Sequence, residues 1–186
     1  MTTSRPIRVV AISGSLRVNS YNTAALKAAI GLAPEGMVIE EAKIGDLPHY
    51  NDDTRLAGYP PEVQRFRDQL SAADAILFVT PEFNYSIPGV LKNAIDWASR
   101  PPSQPFDGKP VAIMGASAGA LGTARAQYQL RQMLVFLNAF PLNKPEVMIG
   151  GAQNKFDAQG QLTDETTQVF IRDLLVALAA WTERLR

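Results

Sequence analysis

The sequence contains no cysteine and a single histidine, His49. The first absence removes disulfides, thiol nucleophiles, thiolate metal sites and cysteine-held iron–sulfur clusters. The second removes metal sites built from several imidazoles. Net charge is missing too: 18 Lys plus Arg stand against 18 Asp plus Glu. That leaves no basic field for nucleic acid, and no acidic excess of the kind small electron carriers use to dock on basic partners. No apolar run reaches membrane-spanning length. The polar start, Met1 to Arg5, runs directly into a strand-like segment and carries no signal-peptide pattern. A cytoplasmic protein without nucleic-acid or membrane partners is the expectation.

What is present is a regular alternation. Ile7–Ile12, Met37–Ile44, Ala75–Thr80, Val111–Met114 and Glu146–Ile149 read as five strands. Between and after them, Thr23–Ala33, Pro61–Ser71, Pro88–Ser99, Thr123–Phe140 and Asp164–Leu185 read as helices. Such interleaving predicts one α/β domain over residues 1–186, a doubly wound parallel sheet with helices on both faces. At 186 residues and 46% apolar composition, the chain suits one packed core. Gly45 to Pro60 is a long loop able to line a site, and Gly150 to Thr163 reads as a mobile hairpin-like segment.

Three inter-element loops stand out. The first, Gly14-Ser15-Leu16-Arg17-Val18-Asn19-Ser20-Tyr21-Asn22, leads from a strand into a fresh helix start. Small hydroxyl side chains, one arginine and a helix N-terminus together favour an anion such as phosphate. Neither the dinucleotide fingerprint nor the Gly-Lys-Ser/Thr of a P-loop is present. The second, Thr80-Pro81-Glu82-Phe83-Asn84-Tyr85-Ser86-Ile87-Pro88-Gly89, brackets aromatic and amide groups between prolines. Phe83 and Tyr85 suit packing beside a flat ring, and Asn84 suits its heteroatoms. The third, Gly115 to Gly122, contains Gly115-x-Ser117-x-Gly119, which matches a hydrolase nucleophile elbow. That triad needs a histidine downstream of the serine, and His49 lies upstream, so a hydrolase is excluded. A flavodoxin-like strand order, 2-1-3-4-5, places these three loops side by side at the carboxyl end of the sheet.

Other residues are less telling. His49 is expected to be a solvated loop residue, and Asp52 and Asp53 a solvated turn rather than a divalent-ion site. Trp97 and Trp181 sit at helical spacing among apolar neighbours and suit a core or an interface.

Gly14-Ser15-Leu16-Arg17 with Ser20 and Asn22, then Pro81 through Gly89, then Lys92-Asn93-Ala94-Ile95-Asp96-Trp97, resemble the NADPH-dependent FMN reductase family. Within it, the chain is most similar to bacterial quinone reductases that also reduce chromate. The resemblance spans essentially the whole chain, and departs where the family commonly has tyrosine and this sequence has Phe83.

The resemblance implies a non-covalent FMN. Its phosphate would be held at Ser15, Arg17, Ser20, Tyr21 and Asn22, its ring lined by Pro81, Glu82, Phe83, Asn84, Tyr85 and Ser86, with Ser117 along another edge. It implies hydride transfer from NADPH or NADH to flavin N5, then to quinones, chromate or azo compounds, in ping-pong fashion. No catalytic side chain and no metal ligand is expected, Glu82 serving to shape the pocket. The alternative in another class is a flavodoxin-like carrier passing electrons to protein partners, and a third is a non-enzymatic flavin-binding regulator. Finally, the resemblance implies a homodimer or homotetramer, with Tyr85, Arg125, Tyr128 and Glu146 forming a polar cluster across subunits.

Overall fold

A computed structural model describes residues 5–186. The first four residues, part of the segment read as lacking a signal peptide, lie outside the described residues. Strands β1 (Ile7–Ser13), β2 (Met37–Ala42), β3 (Ala75–Val79), β4 (Pro110–Ala116), β5 (Phe140–Pro141) and β6 (Val147–Ile149) form one sheet. Helices are α1 (Tyr21–Gly31), α2 (Asp52–Ala57), α3 (Pro61–Ala72), α4 (Gly89–Ala98), α5 (Ala124–Phe136) and α6 (Glu165–Leu185). The order is β2-β1-β3-β4-β5, all pairings are parallel, and β6 also pairs with β4.

Side-chain alternation along the strands divides the core into two layers. Val10 and Ile12 of β1 and Ile76 and Phe78 of β3 pack with Phe66 of α3, Trp97 of α4 and Leu130 of α5. Their neighbours Val9, Ala11, Leu77 and Val79 pack with Leu26 of α1 and Leu175 of α6. Both faces being covered explains why β3 and β4 are buried at every position and read as unbroken apolar runs.

Three details depart from the sequence reading. The fifth strand position is filled by two short pieces, since β5 pairs with the start of β4 and β6 with its end. Pro141 and Pro145 have no N–H to donate, and the chain leaves the sheet between these pieces. Helix α5 stops at Phe136, short of the expected Phe140. Asn138 adopts φ 50°, Ala139 N–H donates to Leu134 O, and Asn138 N–H donates to Val135 O. This pair of bonds is a Schellman stop with asparagine in glycine's usual place. The Gly45–Pro60 loop contains α2, capped by the Asn51 side chain on Asp53 N–H.

The expected mobile segment is tied down. Phe156 is buried, pairs across a bridge with Leu162, and lies 5.6 Å from the Tyr21 ring. No helix among the described residues is long and apolar enough to cross a membrane.

Candidate functional site

Strands β1, β3 and β4 are neighbours; β1 and β3 end at one level, and β4 runs two residues further. Gly14 N–H donates to Val79 O, and Thr80 N–H donates to Met114 O. The three loops singled out in the sequence therefore leave the sheet side by side, where ligands of doubly wound proteins bind.

The first loop is shaped around the start of α1. Ser20 caps the helix, its hydroxyl oxygen accepting from the N–H groups of Asn22 and Thr23. The first turn of α1 contains no acidic residue, so no side chain of the helix offsets the positive end of its dipole. Among the described residues, the backbone N–H groups of Leu16, Val18, Asn19 and Ser20 pair with no acceptor. Arg17 is exposed and joins none of the ion pairs among those residues. Free donors, an uncompensated helix end and a free guanidinium fit a phosphate. A cleft of about 400 Å³ on the β2 side of this loop is lined by Ser15, Leu16, Arg17, Lys43, Ile44 and Gly45.

Two expected phosphate ligands are used otherwise. The Asn22 amide is buried, donating to Ala116 O at 2.9 Å and accepting from Ala116 N–H at 2.8 Å. Asn22 thus joins the first loop to the end of β4. The Tyr21 ring packs on Phe156, leaving its backbone N–H at the helix start as its means of meeting an anion.

The second loop makes a tight turn. Phe83 and Ser86 exchange both backbone bonds, at 2.9 and 3.0 Å, around Asn84 at φ 53° and Tyr85 at φ 67°. Positive φ at both central positions is the type I′ geometry that normally selects glycine or asparagine. Phe83 and Tyr85 are 56% and 66% exposed. Two open aromatic rings beside Pro81, at the mouth of the sheet, fit a flat heteroaromatic ligand. The Glu82 carboxylate is nearly buried against the start of α5. Its carboxylate accepts from Arg125 N–H at 3.1 Å and Ala126 N–H at 3.2 Å, and pairs with the Arg125 guanidinium.

In the third loop, Ser117 donates its hydroxyl to Gly119 O and lies half-buried. Gly115 is required by packing: a Cβ there would sit 1.9 Å from Thr123 Oγ1 and 2.3 Å from Thr80 O.

The remaining candidates lie elsewhere. His49 is exposed on its loop. Asp52 accepts from Tyr50 Oη and Arg55 Nε, and these bonds, Arg55 first, hold its carboxyl at about 2. Among the described residues no cluster of three or more metal-ligating side chains occurs. Trp97 is fully buried and donates to Pro48 O, while Trp181 is half-buried and donates to Phe140 O. Of the four residues expected to cluster across subunits, Arg125 lies 3.7 Å from the Tyr85 ring centroid within one chain. The Glu146 carboxylate of the same chain raises the Tyr128 hydroxyl above its ordinary value.

Known proteins share this sequence and fold. A profile of the NADPH-dependent FMN reductase family matches residues 7–154. An NAD(P)H-dependent FMN reductase of Pseudomonas aeruginosa is 64% identical over 183 residues, covering 98% of this chain and 99% of that protein. A quinone reductase of Escherichia coli is 44% identical, covering 98% of this chain and 99% of the relative. The solved structure of FerB, a flavoenzyme NAD(P)H:(acceptor) oxidoreductase from Paracoccus denitrificans, superposes with a TM-score of 0.88 at 40% identity. It covers 96% of this chain and 98% of its own. The chain belongs to the NADPH-dependent FMN reductase family: it is an oxidoreductase, with FMN as its flavin and NAD(P)H as its reductant.

Proposed function

We infer that this protein reduces quinones with electrons from NAD(P)H, by way of FMN held across the three loops at the carboxyl ends of β1, β3 and β4. The observation that carries the reading is the adjacency of two complementary half-sites. Unpaired N–H donors surround the start of α1, and the aromatic turn Phe83–Ser86 stands beside it.

Leu16, Val18, Asn19 and Ser20 would present backbone N–H groups to the phosphate, Ser15 and Ser20 hydroxyls would donate to it, and Arg17 would match its charge. Pro81, Phe83, Asn84, Tyr85 and Ser86 would line the ring, with Ser117 along another edge. Bound FMN supplies the two-electron chemistry, accepting hydride from NAD(P)H and returning the pair to an acceptor. The protein's part is to hold one ring face open and dry enough for donor and acceptor in turn, which suits ping-pong kinetics. Chromate and azo compounds belong to the same proposal as further acceptors. So do a cytoplasmic location and a homodimer or homotetramer whose interface includes Tyr85, Arg125, Tyr128 and Glu146, to be counted by light scattering on the holoprotein.

Anaerobic mixing with NADPH or NADH should bleach the bound flavin, and a quinone should restore its colour. Flavin left oxidised by both nucleotides overturns the reading. Arg17→Ala should weaken FMN binding to the apoprotein about 10- to 150-fold, the equivalent of about 1.5–3 kcal/mol for a charge-assisted hydrogen bond. Fluorescence titration measures it, and an unchanged affinity removes Arg17 from the phosphate site.

A further inference from the structure

Helix α5 begins without a cap of its own. Thr123, the residue before it, is buried at φ 73° and makes no side-chain cap bond. The N–H groups of Arg125 and Ala126, the second and third helical positions, are those an N-cap side chain ordinarily serves. Glu82, 43 residues earlier in the chain, serves both with one carboxylate oxygen. Its other oxygen accepts from the Arg125 guanidinium. Only 9% of the Glu82 side chain is exposed, against 40% for Arg125.

The guanidinium that Glu82 holds is the one stacked on Tyr85. Arg125 therefore touches two residues of one loop, three positions apart, and closes a ring of contacts from α5 through Glu82 to the Phe83–Ser86 turn. Tyr85 occupies a backbone conformation that costs a non-glycine residue about 1–3 kcal/mol unless its surroundings hold it there. The stacked guanidinium is such a hold, and it is planar and fixed only while Glu82 fixes it.

We propose that Glu82 is a positioning residue for the acceptor: through Arg125 it sets the Tyr85 ring as a fixed wall of the open flavin face. It touches neither flavin nor substrate. This rests on the function proposed above and names the device that shapes the acceptor side of that site.

Three variants of the full-length protein test it. Glu82→Ala removes the cap and the ion pair together and should lower both melting temperature and turnover. Glu82→Gln keeps an oxygen to accept from Arg125 and Ala126 N–H, so it should recover most of the melting temperature. It should still raise KM for a quinone about tenfold more than it lowers kcat, the scale of one lost charge-assisted bond. Arg125→Lys keeps a cation for Glu82 but loses the planar stack, and should show the same split. The double variant should be no worse than either single one.

A second readout needs no flavin. In the apoprotein, the Arg125 Nε–H resonance should be protected from exchange in the native protein and unprotected in Glu82→Gln. Native kinetics in Glu82→Gln, or a silent Arg125→Lys, overturns the proposal and leaves Glu82 a helix cap. Failure of the parent reading is separate, because it appears in the unaltered protein as bound flavin that neither NADPH nor NADH bleaches.

Discussion

Gly115→Ala should destabilise the protein by about 3 kcal/mol or more, the upper range for forced overpacking, and lower Tm by ~6–12 °C at this chain length. The new methyl group would meet Thr123 Oγ1, Thr123 Cβ and the backbone carbonyl of Thr80. Rotation of one side chain does not relieve this. Thr123 is buried and its hydroxyl accepts from Gln127 Nε2, while Thr80, just past β3, is buried with its N–H donated to Met114 O. Gly119 provides the contrast, since a Cβ there meets only Ser117 Oγ at 3.8 Å. Gly119→Ala should therefore leave apoprotein stability within about 0.5 kcal/mol. If the backbone of this loop approaches the flavin, Gly119→Ala should weaken FMN binding all the same. Thermal melts of the two apoproteins check the first difference. Equal melting temperatures would mean that β4 and the second loop can separate at little cost, contrary to the packing at this point.

That contrast marks how far the sequence could be read. Gly115, Gly119 and Gly122 look like one motif in the sequence. Gly115 is instead demanded by Thr123 and Thr80, and Gly122 by its φ of 52° and by Met148. Only Gly119 has no internal reason to be glycine. The strands and their order were legible because burial on both faces leaves continuous apolar runs in β3 and β4. The end of α5 was not, since the apolar pattern continues past Phe136. The stop at Asn138 is fixed by distant partners, Asp107 accepting from its side chain and Gly108 N–H donating to its carbonyl. The division of the fifth strand has the same character, depending on which half of β4 each piece meets.

Within the candidate site, the side chains of Asn22 and Glu82 are taken up by the protein itself, and one physical reason hides this in the sequence. Serine, asparagine and glutamate beside a helix start look alike whether they face a ligand or the protein. The Asn22 side chain finds its partner 94 residues away and that of Glu82 finds its own 43 residues away. No local pattern records such a choice. The free groups left over, the N–H donors of Leu16, Val18, Asn19 and Ser20 and the Arg17 guanidinium, are recognisable only once the satisfied ones have been accounted for.

Asn22→Ala should cost about 2–6 kcal/mol, because it leaves two buried backbone groups of Ala116 without partners at about 1–3 kcal/mol each. The position explains the size. Strand β3 pairs with β4 as far as Met114, where Thr80 N–H donates to Met114 O, and then turns away into the second loop. Ala116 lies beyond that point, and the Asn22 amide supplies there one donor and one acceptor, as the next residue of a strand would. Asn22→Asp separates this role from direct phosphate binding. At neutral pH the carboxylate still accepts from Ala116 N–H, but it has no donor for Ala116 O and faces that oxygen in a buried setting. If Asn22 joins α1 to β4, both variants should melt lower as apoproteins. Their affinity for FMN should fall as well, since the phosphate loop is no longer indexed to the third loop. If Asn22 were instead a phosphate ligand, Asn22→Asp would abolish flavin binding by charge repulsion and leave apoprotein melting near native. Apoprotein melting curves beside flavin titrations decide between the two, and native melting in Asn22→Ala would sink the structural role.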